Sequence, residues 1–296
     1  FVGLEAGDSL TGLTQSYTSK NVQGLNGSTL QVNGGYTLND SNGGNNYSVT
    51  TNTAAGTITK ASLTVSTSAI NRVYDGTTNA TGTPVATVGT LFSGDTLSGG
   101  TFSFVSKNVG SNVTVNVSGI TVNDGNGGNN YTLTQASNNT SNITAAPLTV
   151  TGVTAANRVY DGTVTATLGG TASVTPIGLD AVTVTGTGSG SFATKHVGTN
   201  KPVTVTGFSL TGGDAGNYSI VQPTGLTANI TPAPLTVSTS NVNRVYDGTT
   251  NATGTPVVTS GTLFSSDTLT GGTFAFVSKN AGTNVTVNVS GISVND

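Results

Sequence analysis

Apolar and polar residues alternate along most of this chain in short runs, the pattern of β-strands that bury one face. The clearest run is Val-Thr-Val-Asn-Val at residues 113–117, in which the valines share one face. Thr-Phe-Ser-Phe-Val at residues 101–105 puts both phenylalanines on one face in the same way. The pattern therefore predicts an all-β protein.

Between residues 63 and 144 the pattern predicts six to eight short strands. Pro84 opens one of them, which predicts an edge strand because proline cannot donate to a central ladder. Asp75-Gly76 predicts a tight turn, and Gly119 predicts a break or bulge within an apolar run. Two such sheets with their apolar faces together would form a β-sandwich. The predicted strands are 63–67, 83–88, 101–105, 113–117, 120–122, 131–133 and one centred on Ile143.

The heptapeptide Asn-Arg-Val-Tyr-Asp-Gly-Thr begins at residues 71, 157 and 243, so it returns every 86 residues. A period of that length is one small domain, and it is large enough to fold without disulfides or metals. The predicted division is the C-terminal part of a repeat at 1–60, complete repeats at 61–145 and 146–232, and the N-terminal part of a repeat at 233–296.

Residues 71–124 and 243–296 align without a gap and differ at eight positions, whereas the repeat between them is more divergent. A β-solenoid is the alternative architecture, but its rungs would recur every ~20–30 residues, and no such period occurs within the repeat. The sequence thus favours an elongated tandem array of small β-sandwich-like domains, either Ig-like or grasp-like.

Composition narrows the class of protein further. The hydrophobic fraction of 34% is too high for a disordered chain, and cysteine is absent, which suits a secreted bacterial protein. With a net charge of −3 and nine basic residues, neither a nucleic-acid surface nor a polybasic membrane surface is expected. No apolar run approaches the ~20 residues of a membrane span, so no span is expected in this fragment.

Seven of the nine basic and eleven of the twelve acidic residues recur at equivalent positions of the repeats, which predicts structural roles in local turns and pairs. We expect Arg72 and Asp75 to form a charge-assisted pair, and Tyr74 to pack at a corner with its hydroxyl bonded to backbone. A polar binding patch is the alternative interpretation. The predicted structural motif is Arg72, Tyr74, Asp75, Gly76, Lys107 and Tyr131, then Arg158, Tyr160, Asp161, Lys195 and Tyr218, then Arg244, Tyr246, Asp247 and Lys279.

These motifs occur in a fixed order that continues through Gly-Asp-Thr-Leu, Lys-Asn-Val-Gly, Gly-Asn-Asn-Tyr-Thr-Leu and Ile-Thr-Ala-Ala-Pro-Leu-Thr-Val. In this order they resemble the YDG-type repeats, and the similar MBG type, of very large bacterial surface proteins. Such repeats occur in filamentous-haemagglutinin-like adhesins and related exoproteins. The resemblance implies an extracellular cell-surface stalk, often exported by two-partner secretion, and it carries over no catalytic residue.

Three loops offer weak candidates for calcium, at Asp40, Asp124 and Asp214. Asp-Gly-Asn-Gly-Gly-Asn-Asn at 124–130 has oxygen-bearing side chains at alternate positions, as calcium loops do. Calcium takes about six to eight oxygens and usually several carboxylates, but each loop has one Asp and no Glu. We therefore favour a hairpin loop with left-handed positions, and no metal or cofactor is expected.

Other chemistry has little support. His196 is the only histidine and cysteine is absent, so neither a nucleophilic triad nor a zinc site can be assembled. Lys107 and its equivalents could form isopeptide bonds with an asparagine, but they occupy Gly/Asn turns. An enzyme is thus not expected. The favoured function is a stalk or fibre whose partners are neighbouring repeats or identical chains; the alternative is a multivalent module that attaches to glycans or to a host or abiotic surface.

Overall fold

The structure, a computed structural model, describes residues 1–264 and 266–296. These residues divide into two compact units, 1–146 and 147–296. Apart from one 3-10 turn, the regular structure of the described residues consists of β-strands. The predicted all-β class and the tandem β-sandwich-like repeats are confirmed.

In the first unit, residues 1–60 form a two-stranded sheet, β1-β4, and a three-stranded sheet, β2-β3-β5. Residues 61–145, all of which the structure describes, hold eight strands, the upper limit of the prediction. The strands of the first unit are β1 (Ser9–Thr11), β2 (Gln15–Tyr17), β3 (Ser28–Val32), β4 (Thr37–Asn39), β5 (Ala54–Gly56), β6 (Ala61–Thr67), β7 (Asn71–Val73), β8 (Asn79–Ala80), β9 (Pro84–Val88), β10 (Thr96–Phe104), β11 (Gly110–Asn123), β12 (Tyr131–Gln135) and β13 (Asn138–Thr144).

The repeat at 61–145 is built from two sheets, in the orders β7-β13-β11-β10-β8 and β12-β6-β9. Strand β9 lies at an edge, as its Pro84 predicts. Leu63 and Val65 of the smaller sheet and Val115 and Ile143 of the larger one are at most 1% exposed. Both sheets thus contribute to the core, because each buries the apolar side of its alternating strands.

Two strand pairs of this repeat are parallel, β6 with β12 and β7 with β13. The first two strands of the repeat therefore lie beside its last two. The alternation of residues predicts strands but does not determine the direction of their partners, so the sequence does not predict this feature.

Of the predicted break or bulge at Gly119, the bulge is wrong, whereas the strand pairing is interrupted at this residue. Strand β11 runs through this residue, and its register with β10 is the same on both sides, Gly99 opposite Ile120 and Thr101 opposite Ser118. Positive φ angles occur at Gly119 (70°) and in the facing strand at Gly99 and Gly100. Both strands deviate at the same level, where Gly100 and Gly119 are not paired, and the register continues unchanged beyond it.

The second unit repeats this arrangement. Its larger sheet has the order β16-β24-β21-β20-β17, with β16 parallel to β24, and shorter strands replace the long strands of the earlier repeat. The strands, numbered from one that begins at the unit boundary, are β14 (Ala146–Thr149), β15 (Thr151–Ala155), β16 (Arg158–Val159), β17 (Thr165–Ala166), β18 (Leu168–Ser173), β19 (Thr183–Thr185), β20 (Ser189–Phe192), β21 (Gly198–Thr206), β22 (Ser209–Thr211), β23 (Tyr218–Val221) and β24 (Thr227–Thr231). Then follow β25 (Thr236–Thr239), β26 (Asn251–Ala252), β27 (Pro256–Ser260), β28 (Thr268–Phe276) and β29 (Val287–Asn295), with the 3-10 turn at Ala215–Asn217.

Candidate functional site at the repeat junctions

Each heptapeptide forms a loop whose residues are hydrogen-bonded to the side chain of its own arginine. Arg72 Nη1 lies 2.6 Å from an Asp75 carboxylate oxygen and 3.0 Å from the carbonyl oxygen of Asn79, and its Nη2 donates to the carbonyl of Thr77. Asp75 also accepts the backbone N–H of Thr77 at 2.9 Å. The predicted local pair is confirmed, and it closes the turn in which Gly76 has a φ of 78°.

The other two loops are held in the same way. Arg158 pairs with Asp161, and Arg244 pairs with Asp247 at 2.6 Å. Each guanidinium also lies over a phenylalanine of its own repeat, which adds a cation–π contact and fixes the strand end before the tyrosine. The distances from guanidinium carbon to ring centroid are 4.8 Å for Arg72 and Phe104, 5.3 Å for Arg158 and Phe192, and 5.2 Å for Arg244 and Phe276.

A second tyrosine holds an aspartate of its own repeat in residues 1–60 and in both complete repeats. The Tyr131 hydroxyl donates to Asp95 at 2.6 Å and accepts the backbone N–H of Phe92 at 3.0 Å. Burial and the hydrogen bond to Asp95 raise the pKa of Tyr131. The same contact joins Tyr47 to Asp8 at 2.5 Å and Tyr218 to Asp180 at 2.7 Å.

Two of the repeated lysines, Lys20 and Lys195, contact the following repeat. Lys20 Nζ lies 3.3 Å from Asp95 Oδ1, and Lys195 Nζ lies 3.1 Å from Asp267 Oδ1. In both pairs the aspartate side chain is at most 5% exposed. The expectation that the charges serve only local turns and pairs is therefore wrong for these lysines. Hydrogen bonds to Tyr160 and Asp267 raise the pKa of Lys195, because both partners stabilise the ammonium form.

The heptapeptide tyrosine takes part in the same junction. The Tyr160 hydroxyl donates to Asp267 Oδ2 at 3.0 Å, and Lys195 Nζ lies 5.6 Å from the centroid of the Tyr160 ring. The prediction that the hydroxyl of the motif tyrosine bonds to backbone is wrong for Tyr160, because the carboxylate of the next repeat lies within its reach. An equivalent contact places Lys107 Nζ 5.8 Å from the centroid of the Tyr74 ring.

Apolar packing accompanies these polar contacts. Phe264 of the last repeat packs edge-on against Tyr160, with ring centroids 5.6 Å apart and planes at 83°. It thereby contacts the buried cluster of the preceding repeat, which includes Phe192, Val203 and Ile230. The hydrophobic core of one repeat is thus completed by a side chain of the next.

The Gly/Asn loop at 124–130 forms another part of the junction in the first unit. Asn130 accepts the backbone N–H of Val22 at 2.8 Å, and its amide donates to Asn21 at 3.1 Å. Asn126 donates to the carbonyl of Val22 at 3.3 Å. Amide side chains that suggest metal ligands in the sequence therefore hold the turn that follows Lys20.

The carboxylate within this loop is surrounded by donors. Asp124 accepts the backbone N–H groups of Asn126, Gly128 and Asn130 at 2.8 to 3.0 Å, and Asp40 is held in the same way by its own loop. Burial raises the pKa of Asp124, but these hydrogen bonds outweigh it, so its pKa is lowered. Hydrogen bonds from Asn46 and Gly44 lower the pKa of Asp40. N–H groups aimed at the carboxylate are the wrong polarity for a cation site.

The loop at Asp214 differs from the other two calcium candidates. It is shorter, and its Asp214 side chain accepts the N–H of Ala181 at 2.9 Å just before the 3-10 turn. Among the residues with described positions, no group of three or more His, Cys, Asp or Glu side chains could hold a metal ion. In the same part of the chain, no helix is long and apolar enough to cross a membrane.

The two-sheet fold and the recurring Lys–Asp–Tyr junction define this chain as a tandem β-sandwich repeat protein. It belongs to the YDG domain family, which matches residues 59–140, 144–225 and 231–296. No curated protein and no solved structure matches the chain.

Sequence reasoning found the motif residues but missed that they meet across repeats. The available signal was that a lysine and an aspartate recur in every repeat at fixed places that are distant in sequence. Opposite charges with no partner nearby in the chain indicate a contact between repeats as readily as one within a repeat.

Proposed function

We propose that this chain is a segment of a structural stalk or extracellular fibre of a bacterial cell-surface repeat adhesin, and that it performs no catalysis. The observation that carries the proposal is that recurring charged residues form contacts between consecutive repeats. Lys20 and Lys195, and the carboxylates of Asp95 and Asp267, join one repeat to the next. Because the recurring charged residues link one repeat to the next, the chain is suited to form an extended spacer.

The contacts at the junctions also favour limited bending between consecutive repeats over independent motion of each repeat. Asp267 accepts two hydrogen bonds from the preceding repeat, and Phe264 packs into that repeat's core. Bending at this point would replace the charge-assisted hydrogen bonds of the nearly buried Asp267 with bonds to water, which costs free energy. Strand-to-strand continuation with almost no linker supports the same property.

The alternative function, multivalent glycan binding, would use exposed aromatic side chains. The motif tyrosines of the two complete repeats, Tyr74, Tyr131, Tyr160 and Tyr218, are at most 8% exposed and serve the fold and its junctions. The stalk is therefore the better-supported function. Export by two-partner secretion and a position at the cell surface are part of this proposal, and the cysteine-free composition agrees with them.

Small-angle scattering of the whole chain tests the proposal, with and without chelator. We expect scattering from a stiff particle that chelator leaves unchanged, and increased flexibility in a Lys195→Ala variant. Lys60→Ala, which removes an exposed lysine outside the junctions, is the control. A wild-type chain as flexible as the Lys195→Ala variant would contradict the stalk. Saturable binding to a glycan array would favour the alternative.

A further inference from the structure

One asparagine of the repeat at 61–145 lies at the surface, outside the ladder of paired residues. Strand β11 advances by three residues, from Gly110 to Val113, where its partner β13 advances by two. The extra residue makes a β-bulge. Asn112 belongs to this bulge, is exposed and has a φ of 54°.

The backbone of the bulge is held in place, whereas the side-chain amide of Asn112 is available. Asn142 Oδ1 accepts the Asn112 backbone N–H at 3.1 Å. The Asn112 amide group makes no hydrogen bond with the described residues, and neither does the hydroxyl of Thr114. Asn112 and Thr114 form an Asn-x-Thr sequence, the acceptor sequence of N-linked glycosylation.

The other Asn-x-Ser/Thr sequences of the two complete repeats are less accessible. In four of them a hydrogen bond occupies the asparagine side chain, at Asn130, Asn138, Asn142 and Asn229. Asn217 is buried, and the sequence that begins at Asn139 needs the buried hydroxyl of Ser141. Asn79 and Asn116 are paired residues within strand ladders.

The repeat at 146–232 has the same bulge without the acceptor sequence. Asn200 has a φ of 48°, and Asn229 Oδ1 accepts its backbone N–H at 2.7 Å. Asparagine tolerates this left-handed conformation, which explains its presence in both bulges. Lys201-Pro202 follows Asn200 where the earlier repeat has Val-Thr. The fold therefore does not require the threonine hydroxyl, because Pro202 takes its place in β21.

We propose that Asn112 is a glycosylation site, to which a glycosyltransferase adds a hexose from a nucleotide-activated sugar. Asn112 Nδ2 forms a bond to the anomeric carbon of the hexose and loses a proton. The bond from that carbon to the diphosphate oxygen breaks, and the nucleotide diphosphate leaves with the electron pair. A sugar on the bulge lies outside the ladder, so the strands of the repeat keep their pairing. This modification concerns a single repeat and does not depend on the stalk function.

Mass-spectrometric site mapping of the folded whole chain tests the assignment. The chain is incubated with UDP-glucose and a soluble glycosyltransferase that acts on Asn-x-Ser/Thr sequences. We expect a hexose at Asn112 and none at Asn142 or Asn200. Thr114→Ala should abolish the modification of Asn112, because it removes the hydroxyl of the acceptor sequence. Thr144→Ala is the control, because it removes the hydroxyl of the sequence that begins at Asn142 and should leave Asn112 modified.

The bulge at Asn200 allows a gain of modification to be measured. Lys201→Val combined with Pro202→Thr gives this bulge the Val-Thr sequence of the earlier repeat, and a hexose should then appear at Asn200. A folded chain without a hexose at Asn112, or a Thr114→Ala variant modified like the wild type, would overturn the proposal. An unmodified Asn200 in the double variant would also count against it, since the bulge and the hydroxyl together would not make an acceptor.

Discussion

Lys195 and Asp267 are 72 residues apart in the chain, yet their side chains meet at 3.1 Å across a repeat junction. The lysine follows a strand end of one repeat, and the aspartate precedes a strand of the next. Lys20 and Asp95 form the equivalent contact at 3.3 Å in the other unit. The structural unit of this array is therefore a repeat together with the first loop of its successor.

Tyr160→Phe should lower the free energy of unfolding of the second unit by ~1–2 kcal/mol, because a buried carboxylate loses one hydrogen-bond donor. Tyr246→Phe removes the same hydroxyl where it is exposed, and a change within ~0.5 kcal/mol is expected. Urea denaturation monitored by circular dichroism measures both. Equal effects of the two variants would contradict the assigned role of the Tyr160 hydroxyl.

Phe264→Ala should destabilise the second unit by ~1–3 kcal/mol, since it removes an edge-on aromatic contact and half-buried apolar surface. Phe92 is the equivalent residue of the earlier repeat and is 56% exposed, so Phe92→Ala should cost less. Thermal unfolding of both variants gives the comparison. If Phe92→Ala has the larger effect, the packing of Phe264 against Tyr160 contributes little.

Alanine substitutions at Gly162 and Gly248 distinguish the cost of backbone strain from the cost of a steric clash. Both have a φ of 76°, so alanine at either position should cost ~1–2 kcal/mol from the left-handed conformation alone. A Cβ at Gly162 would also lie 2.9 Å from Phe264 Cβ, whereas a Cβ at Gly248 would have nothing within 4 Å. Gly162→Ala should thus have the lower denaturation midpoint, and identical midpoints would show that Phe264 moves aside freely.

Acid should destabilise the repeats through the carboxylates held in their loops. The pKa of Asp124 is lowered in the folded chain from its ordinary value of 3.8. A lowered folded pKa means that its contribution is fully present well above pH 3.8 and is lost as the pH falls through the folded pKa.

Asp124→Asn should flatten this acid dependence in urea midpoints measured from pH 7 down to pH 2. His196→Asn is a suitable control, because asparagine occupies the equivalent position in the other repeats. An unchanged slope in Asp124→Asn would mean that the loop carboxylate does not report on folding.

How much of this could be read from the sequence depends on the range of each interaction. The alternation of Phe102 and Phe104 predicted one buried face, and both are at most 8% exposed. Pro84 marked an edge strand because its missing N–H acts locally. Arg72 and Asp75 are three residues apart, and their pairing was predictable for the same reason.

Interactions between distant segments could not be derived in this way. The parallel direction of β6 and β12 depends on how the chain crosses between the two sheets. The partner of Lys195 depends on which loops consecutive repeats bring together. The bulge predicted at Gly119 does not form, because its positive φ is matched by positive φ angles in the facing strand. The sequence of one strand alone does not reveal this compensation.

The parallel pairing of β6 with β12 has a mechanical consequence. Tension applied along an array enters a repeat through its first strand and leaves near its last, and neighbouring parallel strands are then pulled in opposite senses along their length. The ladder from Tyr131 opposite Ala61 to Gln135 opposite Val65 would be loaded in shear, with its hydrogen bonds strained together rather than opened one by one. The topology that joins the two ends of this repeat thus resists pulling along the chain.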